Sequence, residues 1–326
     1  MSLTEFDLIR RYFLRKKTTR HSATVLGIGD DCALLSMDEK YELAVTIDTM
    51  VEGTHFFPGV NPVSLGHKAL AVNLSDLAAM GADPRWITLG LTLPNADEGW
   101  LNGFARGLFQ LADKFSVDLI GGDTTRGPLA VSIQALGVLP KSTALFRGAA
   151  QTGDLLFVTG YIGDAGIGLL MEQQKLPFRD EQALRKLHFP QPQVNVGLAI
   201  RTMANACIDI SDGLLADLGH ILEESNVGAT INFEKIPFSH SVQRYIRESC
   251  DWRFPLGAGD DYELCFTVES GRESELHRAM SRLGTPYTCI GRIEETPGIR
   301  LLKEGELQTV SAAGYRHFSA VERGGH

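Results

Sequence analysis

The sequence predicts a two-domain α/β (α+β) protein, and three observations lead there. The chain has 326 residues, 44% hydrophobic and 22% charged, a globular composition on a length that one hydrophobic core rarely organises alone. Short apolar runs alternate with stretches whose apolar residues recur at helical spacing. That alternation pauses near 140–150, which divides the chain into a β-rich N-terminal domain over 1–140 and an α/β C-terminal domain over 150–326.

Each element has its own grounds. "MSLTEFDLIRRYF" reads as a helix, with Ser2 and Glu5 as a capping box and Leu3, Phe6, Ile9 and Phe13 on one face. "LAVTID" at 43–48 reads as a strand that stops on a carboxylate. A helix is expected over 62–80, with Leu65, Ala69, Val72 and Leu77 near one side, Pro62 in its first turn and Gly81 just after it. "WITLGLTLP" follows as a strand closed by Pro94, then a helix from Asp97 to Lys114, then the strands "VDLIGG" and "LAVSIQALGVLP". In the second half "GDLLFVTG" runs into the glycine-rich "GYIGDAGIG" and a helix through Glu172. Helices are further expected around 192–204, 213–225, 238–248 and 272–283, and strands around 229–233, 262–268 and 287–293.

Composition excludes several function classes. The formal net charge is −9 and no basic block is longer than "LRKK" at 14–17, which argues against nucleic acid held through phosphate contacts. The five cysteines are an odd number with no CxxC pair, so neither a disulfide framework nor a zinc site is expected. The N-terminus has no signal-like apolar region and no apolar run reaches membrane-spanning length. A cytoplasmic protein without a membrane partner is the expectation.

What stands out is a recurring loop chemistry. "GIGDD" at 27–31, "TIDTM" at 46–50, "NLSDLAAMGADP" at 73–84, "DLIGGDTTRGPL" at 118–129, "CIDISDGL" at 207–214 and "GAGDDYELCF" at 257–266 each set aspartate beside glycine or hydroxyl residues. Taken singly, such an aspartate reads as readily as a turn residue or helix cap. Taken together, Asp48, Asp123 and Asp209 fall at or just past the ends of β-like runs, where sheets present ligand-binding groups. Gathering them in one cleft needs counter-charge, and Mg²⁺, which prefers oxygen ligands and is commonly shared with phosphates, is the economical candidate. Gly121 and Gly122 would let a backbone approach polyphosphate, and Arg147 would bind its oxygens. The Walker and protein-kinase signatures are absent.

In that order and over nearly the whole chain, "GIGDDCAL", "NLSDLAAMGADP", "LIGGDTTRGPL", "IDISDGL" and "GDDYELCFTV" resemble the thiamine-monophosphate kinase family, within the aminoimidazole ribonucleotide synthetase-like ATP-binding superfamily. The resemblance implies a two-domain fold that dimerises through its N-terminal domain, with ATP in a cleft between domains and several Mg²⁺ ions. It implies Asp30, Asp31, Thr46, Ile47, Asp48, Asp76, Asp123, Asp209 and Asp212 as metal ligands, Gly122, Asp123, Arg147 and Ser211 as ATP contacts, and His55, Asp260 and Tyr315 as contacts to thiamine monophosphate. Asp123, Arg147 and Asp212 would carry the transfer. Asp260 stands where the family often has glutamate. An ATP-dependent synthetase of the aminoimidazole ribonucleotide type, or a non-catalytic nucleotide or thiamine-phosphate sensor on the same fold, are the alternatives.

Overall fold

The computed structural model describes residues 9–14, 21–26 and 34–310. Of the expected first helix only a π-helical turn, Ile9–Phe13, lies in that range; Ser2, Leu3, Glu5 and Phe6 lie outside the described residues.

Strands β1 (Thr24–Leu26) and β2 (Leu34–Leu35) form a small antiparallel pair. The first large sheet has four strands, β3 (Tyr41–Val51), β4 (Asp83–Leu93), β5 (Asp118–Arg126) and β6 (Ala130–Pro140), in the order β3-β6-β4-β5. Strict alternation along β6, with Val131, Ile133, Ala135 and Leu139 buried and their neighbours half-exposed, shows that one face is covered and the other open. The helices Pro62–Ala79 and Glu98–Phe115 belong to the covered side and pack closely on each other.

The Pro62–Ala79 helix starts where its sequence says it should. Asn61 accepts the Val63 N–H at 2.9 Å, Pro62 occupies the first turn, and Gly81 follows at φ 67°. Its burial is not one-sided, because Ser64 to Ser75 are buried without a break. One side meets the first sheet and the other meets the second half of the chain. Gly197, on the helix Val194–Ile200, sits where a Cβ would lie 2.0 Å from the Ala78 carbonyl. Any side chain there would force the two halves apart.

The second sheet has seven strands: β7 (Leu155–Thr159), β8 (Ala204–Asp209), β9 (Gly228–Asn232), β10 (Leu264–Val268), β11 (Tyr287–Glu294), β12 (Gly298–Lys303) and β13 (Glu306–Gln308). Their order is β13-β12-β9-β11-β7-β10-β8, antiparallel except for the β9–β12 pair. The main core joins Leu70, Ile87 and Phe104 of the first half to Phe157, Phe266 and Ile200 of the second. Among the described residues no helix is long and apolar enough to cross a membrane.

Two expectations need correction. β3 does not stop at Asp48 but runs to Val51, and β5 does not stop before Asp123 but runs to Arg126, so both aspartates lie within strands; only Asp209 ends one. The helix Glu181–His188, unforeseen from the sequence, packs against the helix Asp164–Glu172 and carries a wall of the cavity described below.

Candidate active site

The site is assembled where the Pro62–Ala79 helix faces both sheets. On β3 the residues Ala44, Thr46, Asp48 and Met50 face the covered side, so Thr46 and Asp48 point at the helix. Thr46 Oγ1 donates to Asp76 Oδ2 at 2.5 Å. Burial raises the Asp48 carboxyl to about 6, with the charge of Asp76 adding to the effect. Asp76 itself is raised by burial, against the Thr46 hydroxyl and the positive field of Arg147. From the second sheet comes Asp209, 4% exposed at the end of β8, pushed up to about 8 by burial and then by Asp76. Three carboxylates thus share one site, and Arg147 is the guanidinium whose field reaches Asp76 and Asp209.

The loop after β8 is held from behind. Asp217, buried in the first turn of the helix Leu214–Ser225, accepts through Oδ2 the backbone N–H groups of Ser211, Asp212 and Gly213 at 3.0, 3.0 and 3.1 Å. Burial raises its own carboxyl to about 7. Gly259 packs so tightly on this loop that a Cβ would lie 2.3 Å from the Ser211 carbonyl, and Asp260 N–H donates to that same carbonyl at 2.8 Å. The Asp212 loop and the Asp260 loop are therefore one unit.

Asp260 leads into a neighbouring cavity, lined by His55, Phe57, Lys68, Leu187, His188 and Asp260. Lys68, from the long helix, donates to Asp260 Oδ2 at 2.9 Å, and Tyr262 O–H donates to Asp260 Oδ1 at 2.8 Å. His55 Nδ1 accepts the Val51 N–H at 2.9 Å, which leaves the proton of the neutral ring on Nε2.

The sequence-predicted residues thus separate into groups. Thr46, Asp48, Asp76 and Asp209 come together with Arg147 nearby; Ser211 and Asp212 sit on the adjoining loop; His55 and Asp260 share the cavity. Ile47 turns its side chain to the open face, 63% exposed, so any part it has falls to its main chain. Asp123 is on that open face too, in the row Asp123–Gly90–Ser132–Thr49 across the sheet, and within one chain it is not brought to Asp48. Gly122, at φ 151°, has a reason of its own: a Cβ would lie 2.0 Å from the Leu89 carbonyl on β4, so the neighbouring strand demands glycine before any ligand does. Asp30, Asp31 and Tyr315 lie outside the described residues. Sequence reasoning missed Lys68, Asp217 and Tyr262. The signal for Asp217 was present as the second aspartate of "SDGLLAD".

Among the described residues no three His, Cys, Asp or Glu side chains are grouped closely enough to hold a metal ion by themselves. The donor set nonetheless suits a hard divalent cation. It is all oxygen, and its carboxyls are held above their ordinary range by burial and mutual repulsion, a cost that a cation would remove.

Comparison with known proteins places this arrangement. Residues 29–139 match the family model of the AIR synthase related protein, N-terminal domain, and 151–304 that of the C-terminal domain. Thiamine-monophosphate kinase of Escherichia coli (strain K12) is 47% identical over 324 residues, covering 98% of this chain and 99% of that protein. The crystal structure of thiamine-monophosphate kinase from Stenotrophomonas maltophilia K279a superposes with a TM-score of 0.85 at 44% identity, covering 94% of this chain and 99% of that one. AaThiL, solved in complex with AMPPCP and TMP, gives a TM-score of 0.77 at 28% identity over 87% of this chain and 89% of its own. The chain belongs to the AIR synthase related family, in its thiamine-monophosphate kinase branch.

Proposed function

We propose that this protein phosphorylates thiamine monophosphate with ATP, giving thiamine diphosphate and ADP. The observation that carries the reading is the junction of two sites: the acidic cluster and the His55–Asp260 cavity meet through one loop unit, and Tyr262 touches Asp260 while standing in the field of Asp48 and Asp209. A nucleotide held at the cluster and an acceptor held in the cavity would be neighbours. The family resemblance and the AMPPCP and TMP complex of AaThiL support that pairing of ligands.

A phosphate acceptor needs no positioned base. The second pKa of a phosphate monoester is about 6, so near neutral pH the acceptor is already mostly dianionic. One of its oxygens attacks the γ-phosphorus in line, a new P–O bond forms, and the bond from that phosphorus to the β-bridging oxygen breaks with its electrons leaving on ADP. The chain's tasks are then alignment and charge neutralisation. Arg147 would neutralise nucleotide oxygens, Ser211 and Asp212 would present the loop that Asp217 fixes, and His55, Asp260 and Tyr315 would orient the acceptor. Asp48, Asp76, Asp209 and Asp212, with Asp30, Asp31, Thr46 and the Ile47 main chain, would hold Mg²⁺. Bound there, Mg²⁺ would supply the positive charge that lets two anions meet.

The same reading assigns 1–140 and 150–326 as the two domains and a homodimer as the working form. Support for the dimer is the open face of the first sheet, where Tyr41, Leu43, Val45 and Ile47 stand exposed in a row. Gly122 and Asp123 lie on β5 of that sheet, Asp123 toward the open face, so their contribution belongs at or near the interface between copies. A cytoplasmic location fits the four free cysteines among the described residues, Cys207, Cys250, Cys265 and Cys289.

The test uses γ-labelled ATP, Mg²⁺ and thiamine monophosphate. Label in thiamine diphosphate, with little free phosphate, is expected. Label released wholly as inorganic phosphate would point to a synthetase, and acceptor-independent binding without turnover to a sensor. Light scattering at micromolar concentration should give about twice the chain mass of 35.6 kDa.

A further inference from the structure

The segment Asp260–Glu263 alternates in what it faces. Asp261 turns into the second half, where its carboxylate accepts the backbone N–H groups of Gly163 and Ala165 at 2.6 and 3.3 Å. Glu263, fully buried, accepts from Lys186 Nζ at 2.5 Å, Thr159 Oγ1 at 2.6 Å and Gln193 Nε2 at 2.9 Å. With those two anchored, Asp260 and Tyr262 are left facing the cleft. Both adopt positive φ, 71° and 49°, a conformation rare outside glycine and maintained only where surroundings impose it. The anchors account for the backbone; they do not fix the Asp260 side chain.

Lys68 does. It rises from the Pro62–Ala79 helix in the first half, 7% exposed, and crosses to a carboxylate 192 residues away in the second. A lysine so placed has given up most of its water, which only a firm anionic partner offsets. Asp260 is the partner, with its other oxygen held by Tyr262. Without Lys68, Asp260 would present an uncompensated negative charge to a cavity that must admit a phosphorylated acceptor.

We propose that Lys68 is a positioning residue for acceptor binding: through its ion pair with Asp260 it orients that carboxylate and neutralises it, so that the acceptor cavity is complete only when both halves of the chain meet. The proposal rests on the kinase reading above. It predicts a one-sided defect. The acceptor should lose affinity while the nucleotide, bound at the acidic cluster, should not notice.

The experiment compares wild type, Lys68→Met, Lys68→Arg, Asp260→Asn, the Lys68→Met/Asp260→Asn double variant and Tyr262→Phe in steady-state turnover with ATP and thiamine monophosphate. Acceptor binding is followed separately by calorimetry without ATP. Lys68→Met should raise KM for thiamine monophosphate about tenfold or more and leave KM for ATP within about twofold. Lys68→Arg should recover most of the loss, and the double variant should be no worse than the poorer single one, because both act through one carboxylate. Tyr262→Phe, which deletes one hydroxyl and keeps the ring, should show a smaller defect of the same kind and serves if Lys68→Met does not fold. Equal changes in both KM values, multiplicative losses in the double variant, or an unmoved acceptor KM in Lys68→Met or in Tyr262→Phe overturn the proposal. Wild type that neither binds nor phosphorylates thiamine monophosphate overturns the kinase reading and this proposal together, so the two failures are distinct.

Discussion

Two sets of buried carboxylates flank the Asp260–Glu263 segment, and they are built on opposite plans. Behind it, Glu263 is surrounded by donors: an ammonium, a hydroxyl and an amide, with Asp261 beside it on two backbone N–H groups. In front of it, Asp48, Asp76 and Asp209 mainly face one another, with the hydroxyls of Thr46 and Ser75 and the field of one exposed guanidinium in compensation. A paired buried charge loses stability when a partner is removed; a crowd of like charges gains when one is removed. The first set is built to hold the fold, whereas the second, on the proposed reading, would serve a ligand that brings positive charge.

The sharpest break of this comparison is to neutralise one member of each. Asp209→Asn should cost about 3 kcal/mol or more of transition-state stabilisation, a loss of at least a hundredfold in kcat/KM, while the melting temperature of the metal-free protein holds or rises. Lys186→Met should do the reverse in kind. It strands Glu263 without its cation and should cost about 3 kcal/mol of stability, seen as a lower urea midpoint, since breaking a buried pair leaves an uncompensated charge. If Asp209→Asn unfolds the protein and Lys186→Met leaves it intact, the assignment of roles is inverted.

A second prediction uses pH. Asp48 and Asp209 have unfolded values near 3.8 and folded values of about 6 and about 8. Between those limits the folded state binds more protons than the unfolded one, so their contribution to stability is present at low pH and declines as pH rises from about 4 to about 8. In chelator, the melting temperature should therefore fall over that window more than in Asp209→Asn. Mg²⁺ with ATP should reverse the fall, and its stabilising shift should be larger at pH 8 than at pH 6 because it replaces protons that have already left. A metal-induced shift that does not vary with pH would contradict the cluster's role as cation ligand.

The sequence disclosed the front set far better than the arrangement that supports it. Carboxylates beside glycines and hydroxyls are visible as text, and Thr46, Asp48, Asp76 and Asp209 do converge. The strands run past Asp48 and Asp123 because Thr49–Val51 stay paired with β6 and Asp123–Arg126 with β4, a backbone pairing that aspartate, threonine and glycine side chains do not announce. Lys68 was invisible for a different reason. A lysine inside "SLGHKALAVNL" reads as a solvated residue on an apolar helix, and only a fold that buries the helix on both sides makes it a bridge. The helix Glu181–His188 has a cap in Asp180 and an apolar face of Ala183, Leu184 and Leu187, but at eight residues that pattern spans barely two turns and is easily passed over as a loop. Gly122 shows a second cause that the sequence did not disclose, since the adjacent strand requires glycine there whether or not a ligand also approaches.

Asp217 gives the smallest effect and sharpens the comparison most, because it has features of both sets. Like Glu263 it is satisfied, with three backbone N–H groups on one oxygen; like Asp209 it is raised, to about 7, by burial and by the neighbouring charge of Asp212. If its work is to accept those three bonds, a single carbonyl oxygen is enough. Asp217→Asn, with its amide oxygen on the loop, should then change stability by less than about 1 kcal/mol near pH 8, since losing the charge offsets weaker hydrogen bonds. Asp217→Ala leaves three N–H groups without an acceptor and should cost about 1–3 kcal/mol, with kcat falling through a loosened Ser211–Gly213 loop. Urea midpoints and kcat/KM of the two variants separate the cases. An asparagine variant as inactive as Asp209→Asn would move Asp217 into the cation-binding set, and the division between fold carboxylates and ligand carboxylates would have to be drawn behind it.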